Sequence, residues 1–151
     1  MSSMTFLFLA ALALVVGALI PVQAATNAAM SRALGSFSFA SLVLFAVGFA
    51  FVSAWVFITR PEFPPFAAYR TAPIYGYLGG VIVGSYVLAI TFLAPRLGVG
   101  NAICFIVTGQ ILAAVVIDHF GLFGSLVQAF SWQRALGVLL MIAGLFLAKR
   151  A

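Results

Sequence analysis

The stretch GALIPVQAATN, residues 17–27, decides how this sequence folds, because it sets a proline and two carboxamides inside a long uncharged apolar segment. In a helix, Pro21 has no amide hydrogen for the carbonyl of Gly17, so we expect a kink between these two residues. In hydrocarbon, an unpaired carbonyl is costly unless protein, water or a ligand satisfies it. Gln23 and Asn27 follow at i, i+4 spacing, so this stretch is typical of a polar site at membrane depth.

The composition around this stretch is that of an integral membrane protein. Of the 151 residues, 66% are hydrophobic and 6% are charged, and the mean hydropathy is +1.28. Soluble globular domains of ordinary composition are far less apolar. The net charge of +5 does not indicate a nucleic-acid partner, because the basic residues form no patch and lie at the ends of apolar runs, as interfacial anchors do.

Residues 1–25 resemble a secretory signal peptide, because an apolar run ends in the small-residue pattern Val22-Gln23-Ala24. They lack a basic amino-terminal region, and the apolar run is longer than that of an ordinary signal peptide. We therefore expect this segment to be the first transmembrane helix.

Apolar runs separated by charged or proline-rich segments predict an all-α fold with five transmembrane helices in one domain over residues 1–151. The predicted helices cover residues 4–30, 37–58, 74–93, 99–117 and 132–148. The last of these is barely long enough to cross a hydrocarbon core of about 30 Å.

Small or helix-breaking residues mark the expected helix ends: Gly35, Ser36, Pro73 and Gly121. Residues 60–73 carry four prolines, so this connection cannot be helical throughout. Residues 94–98 should form a turn around Pro95, and residues 122–130 a short interfacial helix.

Polar side chains within the predicted helices are candidates for lining a substrate pathway: Gln23, Asn27, Tyr86, Thr108 and Gln110. They can equally serve as hydrogen-bonded contacts between helices, each worth about 0.6 kcal/mol. The position of Gln23 and Asn27 beside the Pro21 kink favours the pathway, and both interpretations stay open.

Asp118 and His119 are the side chains best suited to proton coupling, because an acid and a histidine can titrate near physiological pH. A second interpretation is structural: they end the fourth helix, and Asp118 pairs with an arginine such as Arg134. The single cysteine, Cys104, excludes an intrachain disulfide, and we expect it to pack between helices. The sequence offers no nucleophile with an evident base, so we expect no enzyme activity, no cofactor and no metal.

Gly76, Gly80 and Gly84 stand at every fourth position of the third predicted helix. Such a double GxxxG pattern lets a second helix approach closely. We therefore predict that these glycines form a helix-packing or dimer contact.

The charges give almost no preference for one orientation in the membrane. With five spans, three basic residues lie on one side and four on the other: Arg60, Arg70 and Arg134 against Arg32, Arg96, Lys149 and Arg150. The positive-inside rule has little to act on, so the chain can insert both ways up. Transporters commonly combine two halves of opposite orientation around a midplane site. We therefore predict dual topology and an antiparallel homodimer of ten helices, with a heterodimer of similar chains as the open alternative.

The motifs and their order resemble the half-size bacterial members of the drug/metabolite transporter superfamily, in the YdcZ-like branch. The similarity covers residues 17–147 and rests on these residues: Pro21-Val22-Gln23 with Asn27, Leu93-Ala94-Pro95-Arg96-Leu97-Gly98, Gly109-Gln110, Asp118-His119-Phe120-Gly121, Arg134 and Gly137. The resemblance implies a five-helix, multi-pass protein of the bacterial inner membrane that acts as a dimer, with some members occurring as paired or fused chains. It does not imply a substrate.

Small multidrug resistance proteins of the same superfamily bind cations and protons with a glutamate in the first helix. The first predicted helix here carries no acid, so that mechanism does not carry over. We expect a secondary carrier, embedded in the lipid bilayer, for a small metabolite or drug-like solute that is neutral, zwitterionic or amphipathic. Two alternatives stay open: a non-transporting structural or assembly subunit, and a carrier of a lipid-linked substrate.

Overall fold

The computed structural model describes residues 3–129 and 131–150, with side chains described up to residue 147. These residues form α-helices joined by short connections: α1 (Ser3–Leu34), α2 (Phe37–Thr59), α3 (Phe66–Thr71), α4 (Ile74–Leu97), α5 (Val99–Phe120) and α6 (Trp132–Arg150). The chain divides into two compact units, the first ending at Arg96 and the second beginning at Leu97. The all-α prediction is confirmed for the described residues.

The first helix, α1, has 32 residues and continues through Pro21. At about 1.5 Å per residue it is about 48 Å long and exceeds a hydrocarbon core of about 30 Å. The predicted cap at Gly35 is confirmed, because this glycine has a φ of +63° and the next N–H, of Ser36, bonds to the carbonyl of Ser31 at 3.2 Å. The helix ends one turn later than predicted. Arg32 in that turn places a positive charge near the negative end of the helix dipole, which stabilises the added turn.

The second helix, α2, begins where its sequence predicted. The Ser36 hydroxyl accepts a hydrogen bond from the Phe39 N–H at 3.4 Å and so caps the helix. At the other end, Arg60 has a φ of 44° and its N–H bonds to the Val56 carbonyl at 2.9 Å. This left-handed conformation costs a residue other than glycine about 1–2 kcal/mol. The proline-rich connection that follows is helical only over α3, in agreement with the prediction.

The predicted turn over residues 94–98 is wrong, because α4 continues through Pro95 to Leu97. Pro95 removes only one backbone hydrogen bond, the one to the carbonyl of Thr91. The carbonyls at the very end of a helix have no helical donors in any case, so the proline costs nothing further there. The helix stops at Gly98, whose φ of +81° is incompatible with a continued right-handed helix. Gly98 alone separates α4 from α5.

The fifth helix, α5, extends three residues past the predicted end and is capped by Gly121 at a φ of +60°, as predicted. The interfacial helix predicted over residues 122–130 is wrong for its described part. A single 3₁₀ turn, Leu122–Gly124, is followed by irregular chain through residue 129. Positive φ angles at Gly121, Phe123 and Gly124 prevent a continuous helix there.

Within the described residues, four helices are long and apolar enough to cross a membrane: α1, α2, α4 and α5. The apolar part of α6, Trp132–Leu147, is shorter. Its length of about 24 Å falls short of a core of about 30 Å. A fifth span therefore stays a prediction.

Small side chains hold the first unit together. The buried residues lie in the second halves of α1 and α4 and in the first turns of α2: Ala24, Asn27, Ala28, Ala40, Ser41, Val87, Ile90, Thr91 and Ala94. Alanine and serine let the helix backbones approach closely, which is how membrane helices associate when lipid surrounds them. The three helices therefore pack at the end of the unit that carries the Gly35 turn.

In the second unit, α5 packs against α6. The Cys104 thiol donates to the Leu145 carbonyl at 3.2 Å, and the rings of Phe105 and Phe146 meet edge to face at 5.9 Å. The expected packing role of Cys104 is confirmed.

Candidate functional site

A cavity of about 270 Å³ lies between α1 and α2, and both predicted carboxamides of α1 line it. Its eight lining residues are uncharged: Gln23, Thr26, Asn27, Met30, Ala40, Val43, Leu44 and Val47. Gln23 is half-buried and Asn27 is 7% exposed. Thr26 is satisfied within its own helix, because its hydroxyl donates to the Gln23 backbone carbonyl at 3.0 Å. The prediction that Gln23 and Asn27 share one face is confirmed, and we call this space the carboxamide cavity.

The proline of α1 lies one turn before this cavity. Pro21 is half-buried, and Ala24 and Ala28, which follow it in α1, are buried. Gly17 faces open space, because an added Cβ would meet nothing within 4 Å in the described chain. Because Pro21 has no N–H, the Gly17 carbonyl lacks its helical hydrogen bond whether or not the helix bends there. The kink itself stays a prediction.

Asn27 also joins α1 to α4. Its Nδ2 donates a hydrogen bond to Thr91 Oγ1 at 3.3 Å, and Thr91 is completely buried. The backbone carbonyl of Thr91 is the one that loses its partner to Pro95, so the proline of α4 and this hydrogen bond lie within one turn of each other. We did not predict a role for Thr91. The pattern that could have indicated it is a threonine four residues before a proline within a helix. Because the sequence predicts a turn at Pro95, the pattern is not apparent from the sequence alone.

The other predicted pathway residues occupy different environments. Tyr86 on α4 is half-buried, and its hydroxyl oxygen is buried without a hydrogen-bond partner among the described residues. On α5, the Thr108 hydroxyl donates to the Cys104 carbonyl at 2.8 Å, and Gln110 is exposed. A pathway role for these three residues stays a prediction.

A second polar group lies where α5 ends and α6 begins. Arg134 Nη2 lies 2.5 Å from Asp118 Oδ2, and Arg134 Nη1 donates to the Gln128 carbonyl at 3.2 Å. The Gln128 N–H in turn donates to the Asp118 carbonyl at 2.9 Å, and the Ser125 hydroxyl donates to the Ile117 carbonyl at 3.2 Å. Arg134 thereby ties α6 to the end of α5 and to the loop between them. The predicted pairing of Asp118 with an arginine is confirmed.

His119 lies beside this ion pair in sequence. It is exposed, and its ring meets the Phe120 ring edge to face at 4.7 Å. No group of three His, Cys, Asp or Glu side chains that could hold a metal ion occurs in the described part of the chain. Proton coupling by Asp118 and His119 stays a prediction.

The glycine row of α4 is open along most of its length. At Gly76 and Gly80, an added Cβ would have no neighbour within 4 Å in the described chain. Gly84 lines a shallow groove of about 210 Å³ together with Ser41 and Leu88. A close helix contact at Gly76 and Gly80 is therefore absent among the described residues, and contact with a second copy stays a prediction.

Comparison with known proteins identifies the family. Residues 8–147 match the family model described as "Putative inner membrane exporter, YdcZ". The comparison with curated proteins and the comparison with solved structures gave no match. The matched range includes both the carboxamide cavity and the Asp118–Arg134 ion pair. Because the match covers nearly the whole chain, this multi-pass membrane protein belongs to the YdcZ family of inner-membrane exporters, which makes it in general terms a transporter.

Proposed function

We propose that this protein is a secondary carrier for a small neutral, zwitterionic or amphipathic solute, and that two oppositely oriented copies form one alternating-access pathway. The observation that carries the proposal is the carboxamide cavity, where Gln23 and Asn27 line the wall within two turns of Pro21. In membrane carriers, solute sites typically form where backbone groups of a spanning helix are left unpaired and polar groups face a cavity, and Pro21 leaves the Gly17 carbonyl without its helical partner.

The chemistry of the cavity favours solutes without a net charge. A carboxamide offers two N–H donors and one carbonyl acceptor but no fixed charge. Asn27 already uses one donor on Thr91, whereas the Gln23 side chain makes no hydrogen bond within the described residues. Gln23 therefore has the larger capacity for a solute, and Asn27 holds the neighbouring wall in place.

One copy supplies only part of the pathway. The volume of about 270 Å³ lies just below the range of about 300–1,000 Å³ that is usual for small-molecule sites. A second, inverted copy would add an equivalent wall across the membrane midplane. The near balance of basic residues, three against four, supports both orientations of the same chain.

The proposal is tested by solute flux into proteoliposomes, screened across chemical classes with and without a pH gradient. Once the parent protein transports a solute, Gln23→Ala should abolish that flux while the yield of dimer stays unchanged. Gln133→Ala is the matched control, because Gln133 is an exposed glutamine at the start of α6 and should leave the flux unchanged. Equal flux in Gln23→Ala and the parent would contradict a role for the cavity.

A non-transporting assembly subunit is the second candidate, and the open row at Gly76 and Gly80 favours it. In that case the parent would show no flux for any class of solute, and Gly80→Leu would abolish the dimer. The orientation of the copies has a separate test. If site-specific labelling finds every carboxyl terminus on one face of the membrane, the antiparallel homodimer is wrong.

A further inference from the structure

A larger groove runs along the last turns of α2, formed by residues other than those of the carboxamide cavity. It has a volume of about 590 Å³ and is lined by Phe49, Val52, Ser53, Val56, Phe57, Arg60, Pro61 and Phe63. We propose that this groove, the Arg60 groove, binds an anionic phospholipid of the surrounding bilayer, with an acyl chain along its apolar wall and the phosphate at Arg60. This inference goes beyond the proposed function and does not depend on transport.

The groove is built by the end of α2 and by the chain that turns back over it. The five lining residues within α2, from Phe49 to Phe57, stand at positions i, i+3, i+4, i+7 and i+8, and so lie on one face. Arg60 is in the left-handed conformation, which ends the helix, and Pro61 and Phe63 of the following chain complete the lining. At membrane depth, acyl chains are the natural occupants of an open apolar groove.

Arg60 is the charged residue of this lining, and its guanidinium is weakly held. It lies 6.0 Å from the Phe57 ring, at the outer limit of a cation–π contact, and makes no ion pair within the described residues. Arg96 at the end of α4 is a contrast, because its guanidinium lies 3.5 Å from the Phe92 ring and donates to the Phe92 carbonyl at 2.6 Å. The Arg60 guanidinium can therefore turn to a ligand, whereas that of Arg96 is already held against its own helix by Phe92.

The position of Arg60 selects a phospholipid over a soluble anion. It follows directly after the 23 residues of α2, which reach about 35 Å and so span the hydrocarbon core. A basic residue at this level lies among the lipid headgroups and attracts anionic ones. A zwitterionic lipid carries its own cation beside the phosphate, which competes with Arg60. An anionic phospholipid therefore satisfies both the charge and the apolar wall.

Fluorescence quenching at the groove tests the proposal. Phe57→Trp provides a reporter in the lining when Trp55→Phe and Trp132→Phe remove the native tryptophans. The protein is reconstituted in vesicles in which either phosphatidylglycerol or phosphatidylcholine, at equal mole fraction, carries bromine on its acyl chains. We expect the binding constant for phosphatidylglycerol to exceed that for phosphatidylcholine by about fivefold, and the ratio to fall as salt is added.

Arginine variants assign the preference to one residue. Arg60→Gln should bring the ratio to about one, Arg60→Lys should retain most of it because the charge is kept, and Arg96→Gln should leave it unchanged. Helical circular dichroism and the elution volume show that each variant is folded. Equal quenching by both lipids in the parent, an unchanged preference in Arg60→Gln, or an equal loss in Arg60→Lys would each overturn the proposal.

Discussion

The Asn27–Thr91 contact joins two helices of the first unit through uncharged side chains. The Asp118–Arg134 ion pair joins two helices of the second unit through charged ones. Each joins two long helices through polar side chains in a chain that is 66% hydrophobic. The first is a neutral hydrogen bond of 3.3 Å between side chains that are 7% and 0% exposed. The second is an ion pair whose arginine and aspartate are 23% and 31% exposed.

The two contacts differ in chemistry because water reaches the ion pair but not the buried hydrogen bond. A charge within a membrane helix bundle is expensive, whereas a carboxamide and a hydroxyl can satisfy each other at little cost. At the end of α5, both charged side chains stay partly exposed, and Arg134 also donates a hydrogen bond to the Gln128 carbonyl of the adjoining loop. The protein therefore places its few charges at helix ends and uses neutral groups between packed helices.

The largest expected loss of stability comes from placing a charge in the neutral Asn27–Thr91 contact. Asn27→Asp would introduce a carboxylate at a buried position whose side-chain hydrogen-bond partner among the described residues is the uncharged Thr91 hydroxyl. We expect this variant to lower the free energy of unfolding by about 3 kcal/mol at pH 8, measured by denaturation in mixed detergent micelles. The shape of the side chain is nearly unchanged, so the loss reports the charge.

The reverse exchange is the control. Asp118→Asn removes the charge but keeps an oxygen that can accept from Arg134, and the pair is partly hydrated, so we expect a loss of about 1 kcal/mol. If Asn27→Asp cost no more than Asp118→Asn, water would have to reach Asn27 as freely as it reaches Asp118. The contrast in hydration between the two contacts would then be wrong.

The loop beside the ion pair gives a smaller effect with a matched control. Gly121 and Gly124 have φ angles of +60° and +79°, so alanine is strained at both. At Gly121 an added Cβ would also lie 2.7 Å from Val127 Cγ2, whereas at Gly124 nothing lies within 4 Å. We expect losses in unfolding free energy of about 2 kcal/mol for Gly121→Ala and about 1 kcal/mol for Gly124→Ala.

The steric part of that difference can be recovered. Val127→Ala in the Gly121→Ala background removes the methyl group in the way and should restore about 1 kcal/mol. Equal losses in the two glycine variants would show that Val127 does not pack against the Gly121 turn. The hydrogen bonds of Gln128 and Ser125 would then be what holds this loop to the end of α5.

Local signals predicted the helix ends and the polar pairs that are close in sequence. Gly35, Ser36 and Gly121 act on one turn of backbone, so their capping roles follow from their chemistry alone. The sharing of a face by Gln23 and Asn27 follows from helical periodicity. Pairing of Asp118 was predictable for a similar reason, because few charges in this sequence lie close enough to compete with Arg134.

Two features escaped prediction: the continuation of α4 through Pro95 and the Asn27–Thr91 contact. Pro95 lies in the last turn of α4, where the helix loses only one backbone hydrogen bond by continuing through it. Thr91 lies 64 residues from Asn27 in the sequence, so no local pattern links the two. Their contact requires α1 and α4 to pack against each other, which a single sequence does not specify.

The smallest expected effect concerns the Asn27–Thr91 hydrogen bond itself. In a double-mutant cycle with Asn27→Leu and Thr91→Val, we expect a coupling free energy of about 0.6 kcal/mol, measured from the unfolding of all four proteins in mixed micelles. The value should be small because 3.3 Å is long for a hydrogen bond, and because the Thr91 hydroxyl can turn to the Val87 carbonyl when Asn27 is lost.

The size of this coupling decides how available Asn27 is to a solute. A coupling near 0.6 kcal/mol would mean that a solute in the carboxamide cavity can displace Thr91 at little cost and bind Asn27 directly. A coupling above about 1.5 kcal/mol would exceed nearly all measured pairs of this kind and would make Asn27 a fixed structural contact. Gln23 alone would then bind the solute, and the first unit would hold its polar residues as firmly as the second holds its ion pair.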